Sequence, residues 1–193
     1  MPRLAPQIRD AGPDDATDLL RLWAETSRSG ENSPRAQDDA ERALAGLAAD
    51  PDKRLLVAEV DGAVVAAMQV TRAQMSPLVV DDVVHTSFLL VRPEHRRHGY
   101  ARALMEAAVT WAEEKDITEI TAITDTNRET NRFLARLGLA TMATVRHSST
   151  VALRKKLTVE RGRVGGSHNR HLVEVLAQRR SMRRRQDLAR AGE

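Results

Sequence analysis

The sequence predicts an α/β (α+β) fold, and three observations carry that prediction. Segments of period-two and helical apolar spacing follow one another in the order β, two α, three β, α, β, α, two β. Asp61-Gly62 separates two apolar runs, 55–60 and 63–71, which is the two-residue turn that suits a β-hairpin. Finally, the apolar run Phe88-Leu89-Leu90-Val91 stops at Pro93. An Arg- and His-rich turn follows and leads through Gly99 into a long helical pattern.

Taken in order, Gln7-Ile8-Arg9 is a short strand. Gly12-Pro13-Asp14 starts a helix, because proline suits the first helical position and early acids suit its dipole. Leu19, Leu20, Leu22 and Trp23 give that helix an apolar face. A polar loop, Ser27 to Pro34, leads to a second helix with Ala40, Leu44 and Leu47 inward, stopping near Asp50-Pro51. The hairpin comes next, then a loop from Met75 to Asp82, and then the central strand, Val83 to Val91. Ala101 to Lys115 reads as a helix packing through Leu104, Ala108, Trp111 and Ala112. Ile117 to Ile123 is a strand, and Asn127 to Leu137 a helix closed by Gly138. Ala140 to His147 and Thr150 to Lys155 are expected as the last two strands. Gly162 to Asn169 is linker-like, with Gly165-Gly166-Ser167 at its centre. From His171 a basic final helix is expected to run to about Ala191. The division is therefore residues 1–160 as one domain and 161–193 as hinge and basic helix.

The turn after the central strand has the chemistry of a phosphate site. The first amides of a helix lack internal partners, and the helix dipole favours anions there. Gly99 allows close approach to the backbone. Arg96, Arg97 and Arg102 add charge that can hold phosphate through paired hydrogen bonds, and His98 is grouped with them. A Walker loop is excluded because no Gly-Lys-Ser/Thr follows, and a dinucleotide fingerprint because its first glycine is absent.

Composition bounds the remainder. There is no cysteine, hence no disulfide framework, thiol nucleophile or cysteine–zinc site. The histidines show no metal-ligand spacing with acids, so no metal is expected. No apolar run reaches membrane-spanning length and no signal segment opens the chain, so a soluble, cytoplasmic protein without a membrane partner is expected. The formal net charge of +3 hides an asymmetry. Residues 161–193 hold nine arginines against three acids, a net +6, which leaves −3 on the rest.

Arg96-x-x-Gly99-x-Ala101 resembles the Q/R-x-x-G-x-G/A signature of the GNAT superfamily, the acyl-CoA-dependent N-acyltransferases. Two neighbouring segments extend the likeness. Leu89, Val91 and Pro93 resemble the approach along the family's fourth strand. Asn127-x-x-Thr130-x-x-Phe133-Leu134-x-x-Leu137-Gly138-Leu139 resembles its N-x-x-A-x-x-F-Y-x-x-L-G-F segment. The resemblance spans roughly residues 6–157. It implies a mixed central sheet with helices on both faces, and acetyl-CoA as co-substrate with its pyrophosphate at Arg96, Arg97, His98, Gly99, Tyr100, Ala101 and Arg102. It implies that the backbone of Leu89, Leu90 and Val91 pairs with pantetheine, and that Asn127 helps hold the cofactor, a role that stands beside its reading as a helix N-cap. The acceptor is then an amine, on a small molecule or a protein.

Relatives that carry a base place a Glu near the middle of the fourth strand. The matching region here is Val84-His85-Thr86-Ser87. His85 is the candidate base, expected by period-two alternation on the same face as Ser87, Leu89 and Val91. Its other reading is a hydrogen-bonded residue on a half-buried strand. The sequence departs from the family at Leu134, where relatives carry the tyrosine that protonates the leaving thiolate; the lone tyrosine, Tyr100, sits in the phosphate loop. Glu31, Asp81 and Asp82 are candidates to attract a cationic acceptor in the loops 27–34 and 74–82, with the turn at 147–149 beside them. Two further functions compete with catalysis: a non-catalytic acyl-CoA-binding module, and a nucleic-acid- or ribosome-associated module working through Arg161–Arg190. The apolar stripe of Leu172, Val175 and Leu176 favours a tail packed on the body or on a second subunit of a homodimer.

Overall fold

A computed structural model describes residues 6–26, 36–78, 80–124 and 127–158 of the chain. The chain divides into two compact units, Met1–Thr141 and Met142–Glu193. The expected hinge and basic helix, 161–193, lie outside the described residues, as does the loop 27–34 with Glu31.

The first unit is built on a five-stranded sheet of order β1-β2-β3-β4-β5. The strands are β1 (Gln7–Asp10), β2 (Lys53–Val60), β3 (Ala63–Gln74), β4 (Asp82–Val91) and β5 (Ile120–Ala122). The first three pairings are antiparallel and β4–β5 is parallel, so the sheet is mixed. The β2–β3 hairpin turns through Asp61 and Gly62, both at positive φ (51° and 78°), the backbone that a tight two-residue turn requires.

Two helices lie on one face and two on the other. After a single 3-10 turn at Pro13–Asp15, α1 (Ala16–Thr26) and α2 (Ala36–Ala48) bury Ala16, Leu19, Leu22 and Leu44 against Leu55, Val57, Val64 and Ala67. On the opposite face α3 (Tyr100–Glu113) and α4 (Arg128–Arg136) set Leu104, Met105, Ala108, Trp111, Ala112 and Leu134 against Leu56, Ala58, Ala66, Met68, Val70 and Val84. The helical spacing of α3's apolar residues dictates which side faces the sheet. Truncating the fully buried Leu104 to alanine would cost about 2–5 kcal/mol. α4 ends in a Schellman turn: Leu139 N–H donates to Leu134 O at 3.1 Å and Gly138 N–H to Ala135 O at 3.1 Å, with Gly138 at φ 92°.

Two expectations are corrected. First, β4 does not alternate evenly along its length. Ala67 pairs with Leu90 and Gln69 with Ser87, so Met68 alone faces Phe88 and Leu89. This is a β-bulge, and Phe88 takes φ 52° in it. The extra residue reverses the alternation. Val84 packs in the α3/α4 core before the bulge and Leu89 and Val91 pack there after it, while Leu90 joins the α1/α2 core. His85 and Ser87 therefore lie on the α1/α2 face, opposite Leu89 and Val91.

Second, the two terminal strands are absent among the described residues. Residues 139–149 carry no regular structure, and 150–158 is a helix rather than a strand. Ser149 caps that helix. Its Oγ accepts from Ala152 N–H at 3.2 Å and its carbonyl from Leu153 N–H at 3.0 Å. The Ala152–Leu157 stretch is rich in good helix formers. Local capping and propensity outweigh the alternation of Val151 and Leu153 on which the strand expectation rested.

Candidate active site

The site begins where β4 and β5 part. Their ladder runs over three rungs, Val84↔Ile120, His85↔Thr121 and Thr86↔Ala122. Its last bond is Ile123 N–H to Thr86 O, 2.8 Å. Beyond it, among the described residues, β4 continues without a β5 partner. Arg92 N–H donates to Val65 O at 2.9 Å, turning that amide toward β3. By alternation, the backbone groups of Leu89 and Val91 turn to the open side, where an extended ligand can add as a strand does.

The basic loop follows directly. Pro93–His95 forms a 3-10 turn, with His95 N–H on Arg92 O at 2.9 Å. The chain then passes Arg97 at φ 64° and Gly99 at φ 91°. Gly99 is the N-cap of α3, and a Cβ there would meet nothing within 4 Å, so the space before the helix is open. The first intrahelical bond is Ala103 N–H to Gly99 O, 3.0 Å. The amides of Tyr100, Ala101 and Arg102 precede it, the arrangement that binds anions.

The loop's side chains divide into two groups. Tyr100 is buried, and its ring contributes to packing rather than facing solvent. His98 stacks on it, centroids 5.8 Å apart and planes 11° from parallel, and His98 Nδ1 donates to Arg96 O at 2.7 Å. His95 completes the group at 6.1 Å from Tyr100. These rings brace the turn. Arg96, Arg97, His98 and Arg102 are exposed at its surface. Arg96 lies 3.7 Å from Glu129 and Arg102 2.9 Å from Glu106. Such exposed pairs are worth about 0–1 kcal/mol, so phosphate can displace them at little cost. An open glycine, three leading amides and exposed arginines are groups that can hold a pyrophosphate.

His85 is half-buried, and its Nδ1 lies 2.6 Å from Thr121 Oγ1. Asn127 caps α4, its Oδ1 accepting from Glu129 N–H at 2.8 Å. Leu134 is buried within the α3/α4 core. Asp82 lies 3.7 Å from Arg72, and Asp81 is exposed. Among the described residues, no group of three or more His, Asp or Glu is placed to hold a metal ion. No helix among them is long and apolar enough to cross a membrane.

Sequence reasoning missed three features. Thr121 beside His85 depends on strand register and leaves no local signal. The bulge at Phe88 brings its ring to Trp23 of α1, centroids 5.6 Å apart. Arg92, to which the sequence assigns no role, is mostly buried, 3.8 Å from Asp18 and 4.0 Å from Glu25, with Nε and Nη2 lacking hydrogen-bond partners.

The acetyltransferase (GNAT) family model matches residues 16–139. No curated protein matches the chain in sequence. Among solved structures, a transcriptional regulator from Bacillus halodurans superposes with TM-score 0.66 at 21% identity, over 75% of this chain and 99% of that one. Glucosamine-6-phosphate N-acetyltransferase from Arabidopsis thaliana superposes with TM-score 0.64 at 13% identity, over 76% of this chain and 99% of that one. The aminoglycoside N-acetyltransferase AAC(6')-Iy, solved in complex with CoA, superposes with TM-score 0.63 at 18% identity, over 78% of this chain and 98% of that one. At these identities the likeness establishes the fold.

Proposed function

The chain belongs to the acetyltransferase (GNAT) family, and from that premise we propose that it moves the acetyl group of acetyl-CoA to a primary amine by direct attack in a ternary complex. One observation carries this reading. The strand that parts from β5 after Thr86 leads, through the basic loop and a Gly99 with open space at its Cβ position, into a helix whose first three amides precede its first internal bond.

The amides of Tyr100, Ala101 and Arg102, with Arg96, Arg97 and His98, hold the pyrophosphate. The open backbone groups of Leu89 and Val91 align the pantetheine arm, with Leu90 between them held toward β3, and an amide on that edge faces the acyl carbonyl. Such a preset donor stabilises the developing oxyanion by about 3–4 kcal/mol. Asn127, while capping α4, borders the same end of β5 and contributes to holding the co-substrate.

An alkylamine of pKa ~10.4 must lose its proton before it attacks, at a cost of about 4.6 kcal/mol at pH 7. His85 takes that proton. When Nδ1–H donates to Thr121 Oγ1, Nε2 carries the free lone pair. The amine nitrogen bonds to the carbonyl carbon, the carbon–sulfur bond breaks, and the second proton that the nitrogen must lose to become an amide passes to water. The thiolate leaves without a tyrosine acid, since Leu134 stands there. A thiol of pKa ~8.5 departs as thiolate at pH 7 with a penalty of about 2 kcal/mol, and solvent protonates it afterwards.

Release of free thiol from acetyl-CoA, measured across small amines, peptides and ribosomal proteins, tests the proposal. Amine-dependent release supports it. Tight acetyl-CoA binding with no release for any acceptor would instead identify a non-catalytic acyl-CoA-binding module, a reading that Leu134 allows.

A further inference from the structure

Two rings meet at the β4 bulge on the α1/α2 face. Trp23 and Phe88 lie 5.6 Å apart between centroids, with planes tilted by 42°. The chain has two Trp, two Phe and one Tyr, so two of its five such residues are placed at this one point.

Phe88 is anomalous on two counts. Its φ of 52° lies in the left-handed region, which glycine or asparagine enters readily and a bulky aromatic does not. Its side chain also gains little burial there, since the residue is 54% exposed. A strained backbone that presents an aromatic ring to solvent is not explained by core packing. Strain of this kind concentrates where a side chain meets a ligand. The position agrees. Phe88 is three residues from His85 on the same face of the sheet, and it immediately precedes Leu89, whose backbone groups turn to the open side.

We propose that Trp23 and Phe88 form the wall of the acceptor subsite and select amines borne on an aromatic or extended apolar body. This rests on the reading of the chain as an amine acetyltransferase. The apolar body covers the exposed ring carbons. A protonated amine is drawn to the negative ring faces before it gives up its proton. A short polar polyamine gains the second effect but not the first, so the two rings discriminate between the classes.

The test is Phe88→Gly, because glycine occupies φ 52° without strain and removing a half-exposed ring leaves no sealed cavity. With phenethylamine and putrescine as probes, the kcat/KM ratio of phenethylamine to putrescine is expected to fall at least about tenfold in the variant. The melting temperature is expected to hold or rise. An unchanged ratio overturns the proposal, whatever the melting temperature does. A second measurement does not depend on turnover. Titrating the wild-type protein with phenethylamine is expected to perturb tryptophan emission, and Trp23→Phe is expected to abolish that change. Emission that does not respond overturns the subsite. If emission responds while no amine accelerates thiol release, the catalytic reading fails and the subsite stands.

Discussion

His85 Nδ1 lies 2.6 Å from Thr121 Oγ1, across the three-rung ladder that joins β4 to β5. The contact sits at the point where the strands are about to part, on the α1/α2 face. The threonine hydroxyl can accept from Nδ1–H, and in that arrangement Nε2 carries the free lone pair. His85→Ala is expected to lower the maximal rate about 10²-fold or more, with acetyl-CoA affinity retained. Thr121→Val is expected to lower the rate less. Steady-state kinetics and calorimetric titration of acetyl-CoA check both. An unchanged rate in His85→Ala would leave this histidine a structural strand residue.

Leu134 tests what the absent tyrosine means. Its side chain is buried in the α3/α4 core, so a tyrosine there must displace packed neighbours. Leu134→Tyr is expected to lose about 1–3 kcal/mol in stability by chemical denaturation, with no gain in rate. A folded variant of unchanged stability that turns over faster below about pH 8 would show that the position opens on the leaving thiol and that release limits the wild-type enzyme.

The entry to α1 carries a pH prediction. Arg9 donates to both oxygens of Asp15 at 2.7 Å, and Gly12 N–H donates to the same carboxylate at 2.8 Å. The Arg9 hydrogen bonds, aided by the Gly12 amide and opposed by burial, hold the Asp15 carboxyl below its ordinary range. The stabilisation is therefore present above the unfolded pKa of about 3.9 and is lost as pH falls through the lower folded value. Asp15→Asn is expected to be less stable by about 1–3 kcal/mol at pH 7 and to lose less stability on acidification below about pH 4. Thermal melts across that range check it. An acid limb identical to wild type would contradict the assignment.

The basic turn between β4 and α3, with its glycine and helix start, was legible in the sequence because its determinants are local. A glycine enters the left-handed region freely, arginine carries charge wherever it lies, and a helix start needs no distant partner. The hairpin at Asp61-Gly62 and the cap at Asn127 were legible for the same reason. The bulge was not, because it follows from how β4 registers on β3 and nothing about a phenylalanine announces positive φ. That one extra residue reversed the expected face of His85 relative to Leu89 and Val91. Thr121 was invisible for a related reason, since it meets His85 through a parallel pairing across the α3 crossover. At 150–158 the signal was present but outweighed: Ser149 marks a helix start, and the alternation of Val151 and Leu153 suggested a strand.

Calorimetric titration of acetyl-CoA into wild type, Gly99→Ala and Gly99→Glu tests whether the co-substrate binds at residues 96–102. Both variants carry the same cost of placing a side chain at φ 91°, about 1–2 kcal/mol of stability, so their difference isolates bulk and negative charge in the space before α3. The wild-type protein is expected to bind, Gly99→Ala to bind with a smaller loss, and Gly99→Glu to lose at least about tenfold more, or 1.4 kcal/mol. Equal affinity in wild type and a folded Gly99→Glu would mean that acetyl-CoA does not bind at this loop.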